Sequence, residues 1–468
     1  MGYSFGGARH YTDGILPFNN EYDNRTLSGA LRFAPAERTT LDFAARYGDV
    51  RYHYPTDFVG NVVDSNAYRD QHRLTLALNG ARRISDRVEL RLIAGSNGVT
   101  DVTDDIGPPP PWEPPGPDVH TEYWVRTNRR NTELRASFNL PRAVLTSGVE
   151  YFHERERTVA SEGPVDGSLS PTSRFSGTRT TRVGFAELAG GAGRFDYLVS
   201  ARVDRPSDFG SHATWRVGGG WLLGALRLRA NAGTAFNAPA FSQLLPTEFT
   251  VGSPDLEPER VRSVEAGFEW SVAGERLRFG VTRFDQRFLD LIQFVGGGPP
   301  DFLGSFDNLT EARSRGWEAE VRVVPVAGWV ATGSFTHVDA RVSRLDARYS
   351  GSLEVGQPLI RRPRRAASGS VSYAGRDRGT FGLAVRHVGS RPDLDFREFP
   401  SPTVTLPAYT VADLSGSVRV LRTGFGRGLS LTARVDNLFD RKYEEILHYE
   451  APGRTILVGG RTEFTLSR

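Results

Sequence analysis

Residues 317–323 read WEAEVRV, an unbroken alternation of apolar and charged side chains. The odd-numbered residues of this stretch are all apolar, and the even-numbered residues are all charged. Successive side chains of an extended strand point to opposite faces, so a period of two indicates a β-strand with one apolar and one charged face. The stretch therefore predicts a strand that separates an apolar environment from a wet one.

The same alternation recurs along the whole chain. Further clear examples are residues 40–47, 87–92, 226–231 and 429–436. Such segments number about 20, and each can supply the roughly 9–11 residues with which a tilted strand crosses a membrane. A helical membrane protein needs runs of about 18 or more apolar residues, and the sequence contains none. The chain is therefore either soluble or predicted to cross a membrane as strands.

Short and long connections alternate between these segments. The short ones are 35–38, 84–87, 140–143, 190–193, 223–225, 273–276, 325–329, 375–379 and 423–427. The long ones are 10–24, 55–69, 100–120, 158–172, 237–259, 297–304, 343–357, 390–406 and 443–453. Outer-membrane barrels have tight periplasmic turns and longer extracellular loops, whereas a soluble sandwich has no reason to gather its long loops at one end. We therefore predict an all-β protein, a transmembrane antiparallel β-barrel with short periplasmic turns and long extracellular loops.

Composition excludes several other classes of protein. The 58 basic and 55 acidic residues nearly balance, and no basic stripe typical of a nucleic-acid interface is present, so no nucleic-acid partner is expected. The absence of cysteine rules out disulfides and thiolate sites, and the nine histidines show no metal-ligand spacing. Lys442 is the only lysine and lies outside any glycine-rich phosphate loop. The sequence predicts neither an enzyme nor a cofactor.

Three groups of motifs resemble those of TonB-dependent outer-membrane receptors, and within that family the cobalamin- and siderophore-receptor branch. They are TAFNAPAF at 234–241 with SPDLEPE at 253–259, the segments 308–318 and 358–363, and ARVDNLFDRKY at 433–443 with APGR at 451–454. The residues that carry the resemblance are Asn237, Pro239, Pro254, Leu256, Pro258, Glu259, Gly316, Glu318, Asn437, Leu438, Phe439, Asp440, Tyr443, Gly453 and Arg454.

The resemblance implies a barrel of about 22 strands around an N-terminal plug, of which this chain would begin near the third strand. Residues 1–468 would then form the barrel domain, with the plug and first hairpin absent. Residues 1–10 contain no signal peptide, which leads to the expectation that the natural start lies upstream. The implied partners are outer-membrane lipid, the barrel assembly machinery, a small-molecule nutrient and, only through the plug, the TonB system.

The resemblance also implies transport of a scarce, bulky nutrient, of the cobalamin or ferric-siderophore class, across the outer membrane of a Gram-negative bacterium. Haem is disfavoured, because residues 241–253 lack the histidine that haem receptors of the family carry there. Ser253 replaces the usual asparagine before Pro-Asp-Leu, and four residues follow the expected terminal aromatic Phe464. The alternatives are a plugless passive pore, a surface-binding barrel, and a soluble all-β binding protein.

Aromatic residues in the long loops are the candidates for ligand contact, because they offer a large stacking area with few rotatable bonds. They are Tyr54, Phe58, Trp112, Phe249 and Phe302. Trp112 stands in a proline-rich loop, where the alternative is an aromatic packed on its neighbours. Asp101, Asp104 and Asp105 are weak candidates for Ca²⁺ ligands, since they lack the glycine and spacing of a known calcium loop. For the motif residues, turn formation and loop stiffening are the simpler roles.

Overall fold

The computed structural model describes residues 1–463, except 58, 109–115, 273, 298–302, 350–352, 376–378, 399–400 and 423–427. Almost all secondary structure in this part of the chain is β-strand. One four-residue helix, α1 (Phe241–Leu244), lies in the connection before β12. No helix in the described residues is both long and apolar enough to span a bilayer.

The strands have the following bounds: β1 (Gly2–Thr12), β2 (Tyr22–Ala36), β3 (Thr39–His53), β4 (Tyr68–Ser85), β5 (Val88–Gly107), β6 (Val119–Leu140), β7 (Ala143–Pro164), β8 (Ser170–Ala192), β9 (Phe195–Pro206), β10 (His212–Leu223), β11 (Leu226–Asn237), β12 (Glu259–Val272), β13 (Leu277–Val295), β14 (Ser305–Val323), β15 (Trp329–Leu345), β16 (Arg365–Gly375), β17 (Gly379–Val388), β18 (Arg391–Leu394), β19 (Thr403–Leu406), β20 (Tyr409–Arg422), β21 (Gly428–Asp436), β22 (Glu444–Ile446), β23 (Tyr449–Glu450) and β24 (Thr455–Glu463).

Twenty of these strands form one continuous antiparallel sheet in chain order, which confirms the predicted all-β fold. Strands β1 to β17 pair consecutively, and β20, β21 and β24 continue the series. The remaining strands form two small hairpins, β18–β19 and β22–β23, inside connections of the sheet. Because neighbouring strands are antiparallel, every second connection lies at the same end of the barrel.

The predicted alternation of turns and loops is confirmed. The short connections fall at one end, here called the short-turn end, and the longer ones at the other, the long-loop end. Of the predicted turns, residues 273, 376–378 and 423–427 lie outside the described part. A further connection at the long-loop end, residues 207–211 between β9 and β10, was not predicted because it is only five residues long.

In two predicted loops, 100–120 and 158–172, the flanking strands extend further than predicted. Strands β5 and β6 remain paired as far as Gly107 and Val119, and β7 and β8 as far as Glu162 and Ser170. Backbone pairing continues there, although both faces of the strands carry polar side chains. The apolar alternation on which the prediction relied is therefore lost before the strands end.

The two faces of the sheet differ as the period of two predicts. In β8, the lumen-facing Phe175, Arg179 and Val183 are buried, while Ser176 and Arg182 on the outward face are exposed. The outward face of the barrel carries exposed apolar side chains, such as Leu31 and Phe43, that suit a hydrocarbon surround.

Irregularities in strand pairing are confined to strand ends. At the long-loop end, register shifts occur near Ala160 in β7, Leu291 in β13 and Ala312 in β14. At the short-turn end they occur next to the turns, for example between Arg83 and Ser85. The register is continuous across the middle of every described strand pair of the sheet.

Candidate functional site

The long-loop end holds the two candidate ligand-contacting aromatics that the structure describes. Tyr54 starts the connection after β3 and is half-buried; burial and the nearby carboxylates of Asp105 and Asp64 raise its pKa to about 12. Phe249, in the connection after β11, has 59% of its surface exposed. A direct ligand contact is therefore easier for Phe249 than for Tyr54.

The other three candidate aromatics, Phe58, Trp112 and Phe302, lie outside the described residues, as does Phe464 at the C-terminus. Their roles stay predictions.

The three aspartates considered as calcium ligands have separate partners. Asp101 is paired with Arg69, and Asp104 lies 3.0 Å from Nε2 of His120. Asp105 is half-buried near Asp64. Alternation along β5 also places Asp104 on the opposite face from the other two. In the described part of the chain, no group of three His, Asp or Glu side chains is arranged to hold a metal ion.

Loops from distant parts of the chain meet at the long-loop end. We call this set of contacts, among connections 54–67, 346–364, 389–408 and 437–454, the seam latch. The Tyr449 hydroxyl donates to the Asp57 carbonyl oxygen at 3.1 Å, which joins residues 392 positions apart. A side chain at Gly60, whose φ is +87°, would collide with His448, so the loops approach at backbone distance.

The seam latch is centred on Asp393, whose side chain is fully buried. Its carboxylate accepts hydrogen bonds from the backbone of Leu394 (2.9 Å) and Leu447 (3.0 Å) and from Nε of Arg361 (2.8 Å). Burial alone would raise the pKa of Asp393, but these donors hold it below its usual value. The ionised carboxylate thereby joins three segments.

Two further contacts reinforce the latch. Arg391 is almost fully buried and donates to the Glu444 carbonyl oxygen at 2.6 Å. His448 approaches Asp395 through its Nε2 at 3.1 Å. Together with Asp393, these residues fasten the β18–β19 hairpin to the connection that follows β21.

A second anchor, which we call the β8 clamp, holds the start of connection 238–258. Arg179 of β8 is buried and donates to the Asp208 carboxylate at 2.6 Å and to the Pro239 carbonyl oxygen at 2.8 Å. Its guanidinium also lies 5.0 Å from the ring centre of Phe209 and 4.9 Å from that of Phe241. The arginine is thus held by one carboxylate, one carbonyl and two aromatic rings.

Glycine is required beneath this clamp. A Cβ at Gly177, two residues before Arg179 on the same face, would lie 2.3 Å from the Phe241 ring. Phe241 therefore packs directly on the backbone of β8, and its position fixes helix α1 against the barrel wall.

The far end of connection 238–258 is fastened to β13 and β14. Asn308 accepts a hydrogen bond from the Glu257 backbone N–H at 2.9 Å and donates to the carbonyl oxygens of Glu257 and Asp290. Ser253 accepts from the Phe306 N–H at 2.9 Å. Because both ends are anchored, Phe249 projects from a fixed loop.

The motif residues that carry the family resemblance serve mainly as structural supports. Pro239 and Pro258 are fully buried, whereas Pro254 is exposed, and Asn237 donates to Glu259 across β11 and β12 at 3.2 Å. A side chain at Gly316 would lie 2.0 Å from the His337 carbonyl oxygen. The simpler reading of these residues as loop supports agrees with their contacts.

The closing motif folds around Asn437, which has a positive φ of 50°. Its side chain donates to the Arg441 carbonyl oxygen and accepts from the Arg441 N–H, both at 2.8 Å. Asp440 accepts from the Arg454 N–H at 2.7 Å, and Tyr443 stacks on Tyr409 with ring centres 4.2 Å apart. Phe439 is 77% exposed. The Leu438 N–H donates to the Ala412 carbonyl oxygen. The Asp440 carboxylate lies where a side chain at position 453 would be, so Gly453 leaves room for it.

Below the loops, the lumen-facing wall is strongly charged. One recess of about 390 Å³ near the short-turn end is lined by Arg229, Glu269, Arg278, Glu318 and Arg322 among others. Among the motif residues, Glu318 lines this recess. A wall of this composition can bind polar groups.

The sequence alone did not identify Arg179 or Asp393 as residues of the site. Both are charged side chains whose partners come from other connections, and no local pattern marks them.

Comparison with family models identifies one family. A family model described as "TonB dependent receptor-like, beta-barrel" matches residues 2–438. The structure is similar to that of the copper transporter OprC, with a TM-score of 0.75, 19% identity and coverage of 98% of this chain and 75% of that one. It is also similar to the closed form of the ferric-catecholate import receptor Fiu from K12 E. coli, with a TM-score of 0.74, 16% identity and coverage of 98% and 76%.

A third similar structure is that of the unliganded ferric citrate transporter FecA, with a TM-score of 0.74, 15% identity and coverage of 98% of this chain and 73% of that one. At these levels of identity the likeness concerns the fold.

Proposed function

Because this chain belongs to the TonB-dependent receptor β-barrel family, whose model covers residues 2–438, we propose that it forms the barrel of a receptor for a scarce, bulky nutrient. Family members are transporters of the Gram-negative outer membrane and not enzymes, and this protein is an outer-membrane transporter. The proposed cargo is a metal chelate of the ferric-siderophore class, with cobalamin as the second candidate.

The observation that carries this proposal is the fastened loop system above a charged lumen. Anchors at Arg179, Asn308 and Asp393 hold the long connections in place, so a ligand meets a preformed rim. Preformed loops lose little conformational entropy when they bind. Exposed Phe249 offers a flat ring to a bulky ligand, and the charged wall below accepts polar groups.

The choice of a metal chelate draws on the similar structures. Their printed names are those of a copper transporter, a ferric-catecholate receptor and a ferric citrate transporter. The lumen wall, lined by both arginine and glutamate side chains, also suits a cargo that carries polar groups. Residues 1–468 are proposed to act as one barrel domain, inserted by the barrel assembly machinery, with TonB acting through a plug.

The test is uptake by a strain of the natural host that lacks this gene. Radioactive iron bound to catecholate, hydroxamate or citrate chelators, and radioactive cobalamin, are supplied separately to the deletion strain and to the strain carrying the natural gene. We expect restored uptake of one ferric chelate, abolished by a protonophore that removes the energy source of TonB.

The matched variants are Phe249→Ala at the rim and Phe439→Ala, an exposed aromatic of the closing motif. We expect Phe249→Ala to raise the substrate concentration needed for half-maximal uptake by about tenfold, the loss of roughly 1.4 kcal/mol of stacking, and Phe439→Ala to leave it unchanged. Uptake that persists with protonophore would instead favour a passive pore, and no uptake of any chelate or cobalamin would refute the nutrient assignment.

A further inference from the structure

A carboxylate on the lumen face of β7 has no partner among the described residues. Glu156 lies directly opposite Gly177 in the register of β7 and β8, so the two residues share the lumen-facing side of the sheet. The Glu156 side chain is half-buried, yet it forms neither an ion pair nor a hydrogen bond with any residue that the structure describes. Burial raises the pKa of its carboxyl group, and no donor opposes that effect. Because burying a charge without a partner costs free energy, a cationic group that enters the lumen would stabilise it.

The basic side chains nearest to Glu156 are turned away or already engaged. The two arginines that flank it in the sequence point to the outward face, because successive side chains of a strand alternate. Nε of Arg129 lies 3.6 Å from the Glu154 carboxylate, and Nε of Arg179 donates to Asp208 at 2.6 Å. These neighbours therefore do not supply the positive charge that would neutralise Glu156.

Two aromatic rings lie near the Glu156 carboxylate. The Phe241 ring takes the space that a side chain at Gly177 would need, since a Cβ there would lie 2.3 Å from it. Side chains directly opposite each other on neighbouring strands are about 5 Å apart, so this ring lies beside Glu156. Tyr123 points into the lumen from β6 and is 43% exposed. Burial, followed by the nearby carboxylates of Glu156 and Glu248, raises the pKa of Tyr123, so its hydroxyl lies within electrostatic reach of both acids.

A buried hydroxyl beside Glu156 also lacks a partner. Thr158 is two residues further along β7 on the same face and is 3% exposed. Its Oγ1 forms no hydrogen bond with the described residues, although the Tyr123 hydroxyl is nearby. Buried polar atoms in folded proteins nearly always have a hydrogen-bond partner, so this hydroxyl independently points to a polar ligand. We call Glu156, Thr158, Tyr123 and Phe241 the Glu156 subsite.

The composition of the Glu156 subsite identifies the class of ligand. A carboxylate attracts a cation and accepts charge-assisted hydrogen bonds from it, and the faces of aromatic rings attract the same charge. A bare metal ion is a poorer match, because no group of three His, Asp or Glu side chains in the described residues is arranged to hold one. An organic cation, such as an ammonium or a guanidinium, satisfies the carboxylate and the rings together.

We propose that the Glu156 subsite binds an ammonium or guanidinium group carried by the cargo. This inference rests on the proposed function, because the cargo reaches Glu156 only by entering the barrel lumen. The cation would donate to the Glu156 carboxylate and the Thr158 hydroxyl and lie against the Tyr123 ring. Among chelates of the same metal, those with a positively charged side group would therefore be preferred.

The experiment measures binding of small probes that contain no metal chelator, so its result does not depend on which chelate is transported. The probes are phenethylammonium and the uncharged phenethyl alcohol of similar shape. Each is added to the natural full-length protein in detergent and followed by saturation-transfer NMR. We expect the ammonium to bind at least about tenfold more tightly. Equal affinities, or no binding of the ammonium, would overturn the proposal. A cation site without uptake of any chelate or cobalamin would refute the proposed function instead.

Three variants locate the site. Glu156→Gln keeps the shape of the side chain but removes its charge, and should lower affinity for the ammonium by about tenfold. Tyr123→Leu should lower it by about threefold, through loss of the cation–π contact. The matched control is Glu89→Gln, which removes another lumen-facing carboxylate, paired with Arg91 at 2.8 Å near the short-turn end. This control should change affinity by less than about twofold.

Heat-dependent migration on gels verifies that each barrel is folded. Unchanged binding by Glu156→Gln, or an equal loss in Glu89→Gln, would refute the assignment.

A pH titration separates Glu156 from its neighbours. The ammonium of the probe stays charged below about pH 9, whereas Glu156 loses its charge at a higher pH than an ordinary glutamate because its pKa is raised. Affinity should therefore decline as pH falls from about 7 toward about 5, and this decline should be absent in Glu156→Gln. The other titratable groups near the subsite are Glu154, Glu248 and Tyr123. The same decline in Glu156→Gln would assign the cation to one of those acids and refute the role of Glu156.

Discussion

The seam latch and the β8 clamp both fasten loops at the long-loop end, but they rely on different contacts. Asp393 holds the seam latch through an ionised, fully buried carboxylate that joins residues from three segments. Arg179 holds the β8 clamp through the Asp208 carboxylate, a backbone carbonyl and two aromatic rings. The seam latch therefore depends on whether the Asp393 carboxyl group is ionised. In the β8 clamp, the two ring contacts and the hydrogen bond to the carbonyl oxygen do not depend on the ionisation of a carboxyl group. The comparison teaches that neighbouring loops of one rim can respond differently to the same change in solution.

Removing the Asp393 carboxylate should have the largest effect on this comparison. Asp393→Ala leaves the Leu394 and Leu447 N–H groups and the Arg361 guanidinium without their acceptor. Breaking a buried charged contact from one side costs about 3 kcal/mol or more. Because the protein has no cysteine, a spin label at Ile446→Cys reports on the latch, and we expect its mobility to rise sharply.

The matched control is Asp86→Ala, which removes an aspartate with 88% of its side chain exposed and a single partner, Arg38. Exposed pairs contribute about 0–1 kcal/mol, so the label should not respond. A second label at Val251→Cys, in the connection whose start the β8 clamp holds, should also stay immobile in Asp393→Ala. Equal loosening at both labels would show that the two anchors form one cooperative unit.

Arg179→Ala should have the next largest effect, now on the other anchor. It removes two hydrogen bonds and two cation–π contacts and leaves the Asp208 carboxylate without its guanidinium. We expect a loss of about 2–3 kcal/mol and a mobile label at Val251→Cys, while the label at Ile446→Cys is unaffected.

Arg179→Lys sharpens this test. Lysine retains the charge but cannot lie flat between two rings or donate in two directions as guanidinium does. Lysine should therefore restore only part of the immobility of the label at Val251→Cys. Full rescue by lysine would mean that charge alone holds the loop and would contradict the aromatic explanation.

Acid should have the smallest and most selective effect. The pKa of Asp393 is lowered in the folded protein, so its contribution to stability is complete above the usual aspartate pKa of about 4 and declines as pH falls below that value toward the lowered pKa. Protonation retains the side chain but removes one acceptor and the attraction to Arg361. We expect the label at Ile446→Cys to gain mobility reversibly below about pH 4.

The β8 clamp keeps its two ring contacts and the Pro239 hydrogen bond whatever the charge of Asp208. The label at Val251→Cys should therefore change less over the same titration. In Asp393→Asn, which cannot titrate, the acid response at Ile446→Cys should disappear. Persistence of that response in Asp393→Asn would assign it to another group, such as Asp395, whose pKa is also lowered, chiefly by the Arg397 N–H.

The strands were predictable from sequence because their signal is local. Alternation such as WEAEVRV at 317–323 depends only on adjacent residues, and β14 places those side chains on the predicted faces. Prediction was wrong where the local signal changes, as at residues 101–107 of β5, which lie in a predicted loop yet remain paired with β6.

The anchors were not predictable, because their partners are distant in the sequence. Asp393 and Leu447 are 54 residues apart, and Asp57 and Tyr449 are 392 apart. Among the motif residues, Asn437 was expected to close a turn, and its contacts with Arg441 agree with that role. Ligand contacts for Tyr54 and Phe249 stay predictions, since a loop aromatic has no local pattern that separates binding from packing.

The location of the pairing irregularities constrains how the gene can change in length. One codon inserted in the middle of a strand would shift every following side chain to the opposite face, sending arginines into the hydrocarbon. At the long-loop end, the shifts beside Ala160 and Ala312 already accommodate an unpaired residue. Insertions and deletions are therefore tolerated where the strands meet the long-loop end. Descendants of this gene can acquire new loops while the strands of the barrel stay unchanged.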